Sequence, residues 1–217
     1  MFVIEKLSRK ISSNIALNLK MDKEYEEVIA YGAFNFIQML WTIFLVIVFS
    51  IIFGVVEEAL SIIFTISLLR KYSGGAHAST PNGCTMIGTI VSVGLALIVE
   101  QIFSGFSNIT VITLGIICLL YSYYSIYNLA PVDSLAKPIR KLEKKQHLRK
   151  CSIVTLNVLL GIIIILILCY VKYRTSILPN IIECIYLGVL WQAFTLTTIA
   201  HKMFNKLNFV FEYNTRS

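Results

Sequence analysis

Between two apolar runs the chain places RKYSGGAHASTPNGC, residues 70–84, a polar stretch holding one imidazole (His77), one thiol (Cys84), two cations (Arg70, Lys71) and three glycines. A thiol beside an imidazole is the material of nucleophilic catalysis: the base takes the thiol proton and the sulfur attacks an acyl carbon. Seven positions separate the two groups, and along one continuous helix that spacing sets them about 10.5 Å apart. Gly74, Gly75, Pro81 and Gly83 interrupt a helix, so the chain can fold back and bring ring to sulfur. STPNGCTMIG also reads as a helix start, with Ser79 or Thr80 as N-cap and Pro81 in the first turn. Cys84 then lies near the positive end of a helix dipole, where unpaired N–H groups favour a thiolate and can cradle an oxyanion. Arg70 and Lys71 add positive potential.

From the residues alone two other readings stay open. The glycines and Pro81 can serve only to turn the chain at a membrane surface, leaving His77 an interfacial residue and Cys84 an ordinary helix-start cysteine. His77, Cys84, His147, Cys151 and His201 can alternatively supply zinc ligands, although no close chelating pair such as C-x2-C is present. Cys118, Cys169 and Cys184 sit inside apolar runs as small hydrophobes, and no disulfide framework is implied.

The elements that must position this stretch are membrane spans. Of 217 residues, 57% are hydrophobic and 14% charged, against roughly 25% charged in soluble domains. Runs near 39–56, 86–103, 109–128, 153–171 and 181–200 approach the length that crosses a bilayer. A sixth, 59–69, is short and either recruits its flanks to span or is re-entrant. The expected class is an all-α, polytopic integral membrane protein with about six hydrophobic segments. With six crossings and a cytoplasmic N-terminus, 17 of the 19 Lys and Arg fall inside and only Lys172 and Arg174 outside, as the positive-inside rule requires. Both termini are then cytoplasmic. The net charge of +7 therefore reports topology and contact with anionic lipid, not nucleic acid. Glu57, Glu58, Glu100 and Glu183 fall near the outer ends of the spans, where Lys172 and Arg174 can pair with them.

Residues 1–37 form an N-terminal segment whose stripe of Ile4, Leu7, Ile11 and Ile15 predicts an amphipathic helix on the cytoplasmic surface, or alternatively a dimerisation helix. In the first span that follows, Trp41 is an interfacial anchor. Residues 38–204 form one membrane domain and 205–217 a cytoplasmic tail. The loop LAPVDSLAKPIRKLEKKQHLRKC, 129–151, is broken by Pro131 and Pro138. In it Asp133 either orients His77 or caps a helix ahead of Lys137. No signal peptide, internal repeat or low-complexity tract is visible.

RKYSGGAHASTPNGC, the alternating spans and APVDSLAKPI together resemble the accessory gene regulator protein B (AgrB) family of bacterial membrane endopeptidases, over almost the whole chain. The resemblance implies a cysteine protease of the cell membrane that cuts the precursor of a cyclic quorum-sensing peptide, AgrD-like, at the cytoplasmic face. It implies Cys84 as nucleophile and His77 as general base, with Arg70 and Gly75 at supporting positions. Lys71 and Gly74 belong to the same element, and the basic residues from Lys137 to Lys150 can hold an acidic tail of the precursor. Whether the product is a thiolactone or a lactone depends on the precursor's own residue. No cofactor is required, and a homodimer is expected because small membrane proteins often pair. The competing class is a small transporter or channel in which 70–84 re-enters the membrane and lines a pore.

Overall fold

The computed structural model describes residues 2–78, 80–132, 142–173 and 177–216, with side chains at 2, 3, 104, 108 and 208–216 left aside. Asp133 and Lys137 lie outside the described residues. Among the described residues eight α-helices follow in order: α1 Phe2–Leu19, α2 Lys23–Phe53, α3 Val56–Ser73, α4 Pro81–Ile102, α5 Asn108–Leu129, α6 Leu142–Tyr173, α7 Ile177–Thr195 and α8 Thr198–Arg216. Five of them, α2, α4, α5, α6 and α7, are long and apolar enough to cross a membrane, and the chain is an all-α multi-pass membrane protein.

The helix boundaries follow local chemistry. Gly54 ends α2 in the left-handed conformation (φ 72°), with its N–H on the Ile51 carbonyl and that of Val55 on Ser50, a close that a residue without Cβ makes freely. Ser107 caps α5 by accepting from the Thr110 N–H, and Ala130 and Pro131 close its far end. The stripe Leu7, Ile11 and Ile15 is exposed, while Ser8, Ser12 and Ala16 are buried where α1 packs back along α2. Small side chains let the two helices approach, and the apolar stripe is left free for lipid. Trp41 is half exposed and stacks on Phe44 at 5.4 Å.

The short run becomes α3, a continuous helix of 18 residues, about 27 Å long. It reaches that length by recruiting flanks, Glu57 and Glu58 in its first turn and Arg70 and Lys71 in its last, each sign at the helix end whose dipole favours it. No re-entrant loop forms here. Helix α3 packs against α2, α4, α6 and α7. Ile62 and Ile66 join Val46, Val93, Val99 and Cys184 in one apolar cluster, while Leu69 joins Ile126, Leu156, Ile163 and Val189 in another. Gly188 lets α7 close on α3, since a Cβ there would sit 2.9 Å from Thr65.

At the end of the bundle away from 74–80, Asn180 donates to Glu100 at 2.9 Å and to Glu58 at 3.5 Å. Lys172, one of the two cations expected to meet these acids, lies over the Tyr173 ring, and Arg174, the other, lies outside the described residues. The apolar run 181–200 breaks at Leu196 and Thr197. Thr197 Oγ1 accepts from the Ala200 N–H at 3.3 Å and so starts α8 as a separate helix.

Candidate active site

Residues 74–80 connect α3 to α4 as a loop without helix, held by other elements. Gly74 (φ 68°) and Gly75 (φ 129°) both occupy conformations that L side chains rarely adopt. Gly74 forms a parallel bridge with Val132, and the Val132 N–H bonds the Ser73 carbonyl at 2.9 Å. A Cβ on Gly74 would run into the Val132 carbonyl, and one on Gly75 would sit 2.6 Å from Thr195 Oγ1. The C-terminal turn of α7 is the dock. Gln192, wholly buried, donates from Nε2 to the Gly74 carbonyl at 2.7 Å and to Ser73 Oγ at 2.9 Å, while the Ala76 N–H donates to the Thr195 carbonyl at 2.9 Å. Replacing Gln192 by Leu leaves the Gly74 carbonyl without that donor, with an expected cost of about 1–3 kcal/mol. Thermal unfolding in detergent reads the effect; an unchanged midpoint would mean that the loop does not depend on this dock.

Helix α4 starts as its residues dictate. Thr80 is the N-cap, its Oγ1 accepting from the Gly83 N–H, and Pro81 follows at the first helical position. Cys84 is half-buried in the first turn. Its own N–H is engaged by the Thr80 carbonyl at 3.0 Å, so the N–H groups of Gly83 and Cys84, expected to be open for an oxyanion, are already satisfied. Gln38 of α2 pins this turn from the side, donating to the Pro81 carbonyl at 2.8 Å and to Thr85 Oγ1.

His77 and Cys84 line one cavity of about 420 Å³, together with Arg70, Lys71, Gln38, Trp191 and Phe204. Arg70 is the hub of this cavity. Its Nη2 donates to the Ala76 carbonyl and to His77 Nδ1, the latter at 3.0 Å, and its charge interacts with Cys84. Arg70 Nε is buried with no hydrogen-bond partner among the described residues. Because an arginine only donates, Nδ1 is an acceptor and the neutral ring carries its proton on Nε2. The His77 side chain is exposed on one side, yet on the side of Arg70 it is crowded by protein, and its pKa is pushed down to about 4, first by desolvation and then by repulsion from Arg70 and His201. At neutral pH the ring is therefore uncharged and has one basic atom, Nδ1.

Cys151 pairs with His147 at 3.5 Å on the first half of α6. Among the described residues no three of His, Cys, Asp or Glu gather as a metal site. The other site features expected from sequence, Arg70, Lys71, Gly74, Gly75, His77 and Cys84, lie together, whereas Gln38, Gln192, Thr195 and Phe204 come from parts of the chain that local motifs do not mark. A polar glutamine inside an apolar run was the one available signal for Gln192.

A multi-pass helical membrane protein with a thiol, an imidazole and a guanidinium in one cavity defines the class. The accessory gene regulator B family model matches residues 4–196, and the chain belongs to that family, which serves quorum-sensing gene regulation. It is 38% identical to an AgrB-like protein of Clostridium perfringens strain SM101 over 200 residues, 92% of this chain and 94% of the relative. With AgrB-like protein 2 of Clostridium perfringens strain 13 the identity is 35% over the same shares. The protein FsrB of Enterococcus faecalis is 26% identical over 137 residues, 61% of this chain and 52% of that protein. No solved structure matches the chain.

Proposed function

We propose that the protein is a membrane cysteine endopeptidase that cuts an AgrD-like precursor through a Cys84 acyl-enzyme, with the active end of the bundle and both termini at the cytoplasmic face of the cell membrane. The observation that carries this reading is the single cavity shared by Cys84, His77 and Arg70. The proton inventory favours a definite sequence. Nδ1 of His77 accepts the thiol proton and in doing so displaces Arg70; the guanidinium follows the charge to the sulfur, and its unengaged Nε–H is a donor for the thiolate or for the oxyanion that succeeds it. The sulfur bonds to the scissile carbonyl carbon, and His77 returns its proton to the departing amine. Attack by a thiol or hydroxyl of the precursor on the resulting thioester frees Cys84 and closes a ring. A ring nitrogen pushed down to about 4, first by desolvation and then by Arg70, is a weak base, and departure of the guanidinium removes the second of these causes.

The partners that fit are the precursor peptide, anionic lipid around the basic faces, and a second copy of the chain. The test is capture of the intermediate. Membranes incubated briefly with precursor and quenched in acid should yield a Cys84 peptide carrying the precursor's N-terminal portion, released by hydroxylamine. Cleavage without any adduct at Cys84 under single-turnover conditions would defeat the reading.

A further inference from the structure

The cavity that holds Cys84 continues past the sulfur. On α4 its wall is Cys84, Gly88 and Val91, an i, i+4, i+7 set that keeps one helix face and carries the wall about 10.5 Å beyond the thiol. Helix α3 runs the opposite way, from Ile63 and Ile66 to Arg70, and Ile63 Cδ1 lies 4.0 Å from the place of a Cβ on Gly88. Helix α2 adds Gln38 beside Pro81, and Thr42 and Ile43 further in. The chemistry changes along this depth. Among the described residues of the lining, the cations, the imidazole and the thiol (Arg70, Lys71, His77 and Cys84) stand at the loop end, whereas Ile43, Ile63, Ile66 and Val91 make the inner end. The hydroxyl of Thr42 is already engaged, by the Gln38 carbonyl at 2.9 Å and by Thr85 Oγ1 at 3.0 Å. Phe204 of α8, clustered with Ala76 and Ala200, completes a side wall with Trp191.

We propose that the inner end of this cavity is the recognition pocket for the side chain of the residue whose carbonyl Cys84 attacks, that it selects an apolar side chain, and that Gly88 sets its depth. The inference rests on the Cys84 acyl-enzyme reading above and adds to it what the enzyme selects. An acyl group on Sγ begins at the polar mouth, and the space open to its side chain runs on between α2, α3 and α4. The volume of about 420 Å³ falls within the roughly 300–1,000 Å³ of small-ligand pockets. A polar side chain at the aliphatic end loses its water without gaining a partner, whereas an apolar one is driven there by the same loss of water. Gly88 leaves the passage open. A Cβ there meets only Thr42 Cγ2 at 3.5 Å and Ile63 Cδ1 at 4.0 Å, ordinary contacts, so alanine fits without strain and a larger side chain fills the pocket.

N-acetyl amino acid chloromethyl ketones test the pocket without a precursor. The Cys84 thiolate bonds to the methylene carbon and expels chloride, and the amino acid side chain stands where that of the scissile residue would. The leucine, alanine and asparagine compounds are offered to the full chain in detergent micelles, and labelling of each cysteine is followed by mass spectrometry. Cys151, outside the cavity, corrects for partition into the micelle. The leucine compound is expected to label Cys84 at least about tenfold faster than the alanine compound, the scale of a lost apolar group in such a pocket, and faster than asparagine, which has its shape but not its polarity. Equal corrected rates for leucine and asparagine, or for leucine and alanine, overturn the proposal, and this measurement needs no variant to fold. In Gly88→Leu the preference for leucine over alanine should vanish while the alanine compound still reacts, with Gly88→Ala in between. A preference that Gly88→Leu leaves intact also overturns the proposal. Flat labelling beside Cys84-dependent cleavage of the precursor removes this pocket alone, whereas cleavage that survives Cys84→Ala removes the reading beneath it.

Discussion

Alanine in place of Cys84 is expected to lower precursor cleavage by about 10⁴-fold or more, the scale seen when the nucleophile of a covalent mechanism is removed, while the folded chain persists. The thiol is half-buried, and the turn around it is held by Thr80 and Gln38 through contacts that the substitution leaves in place. Cys84→Ser should restore little, because an alcohol gives up its proton far less readily than a thiol and a weakly basic ring cannot make up the difference. The informative control is Cys151→Ala. Cys151 has an imidazole of its own, His147 at 3.5 Å, and is the rival for the role among the described residues. Mass spectrometry of the precursor after exposure to membranes carrying each variant decides between them: loss with Cys151→Ala and retention with Cys84→Ala would move the nucleophile to α6.

Gly75→Ala is expected to disable the protein by a different route. A side chain at φ 129° is strained whatever surrounds it, and here its Cβ would also meet Thr195 Oγ1 at 2.6 Å. Strain of about 1–3 kcal/mol adds to the cost of pushing the loop off α7, and the loop carries His77. A displacement of about 1 Å in a positioned catalytic group costs on the order of 10²-fold in rate. Gly54→Ala is the reference for a left-handed glycine in open space: its φ is 72° and nothing lies within 4 Å of the added Cβ, whereas Gly75 combines the more strained φ of 129° with the clash. Thermal midpoints and turnover should fall steeply for Gly75→Ala, whereas Gly54→Ala should show a small loss of stability and retain its rate. Equal behaviour of the two variants would mean that the contact with Thr195 does not matter.

The parts of the molecule that one short segment specifies were readable in that segment. Thr80 and Pro81 announce the start of α4 and place Cys84 in its first turn, because cap and first-turn preferences are local. Helix α5 agrees with its apolar run to within a residue or two, bounded by Ser107 and by Ala130 and Pro131. The run 59–69 was harder, since its charged flanks conceal that the helix extends through them to Ser73. The docking of the loop was not readable at all. Gln192 meets Ser73 across 119 positions of sequence, and no local pattern encodes that meeting. Arg70 was visible as positive charge, but its hold on Nδ1, which selects the tautomer of His77, depends on the fold of 74–80. Phe204 stood in the sequence as one more apolar residue close to the tail; only the fold gathers it with Ala76 and Ala200 and sets it in the cavity wall.

The bond from the Ala76 N–H to the Thr195 carbonyl has a consequence for anyone seeking a smaller catalyst. Cys84, proposed as the nucleophile, sits on α4, His77 on the loop between α3 and α4, and Arg70 on α3, and that loop takes its shape from a third helix, α7, more than a hundred positions further along the chain. No contiguous excerpt short of nearly the entire polypeptide can therefore be miniaturised into a working unit. A nick that lets the pieces drift apart should silence every one of them, and co-expressed halves should regain activity only by reassembling the bundle.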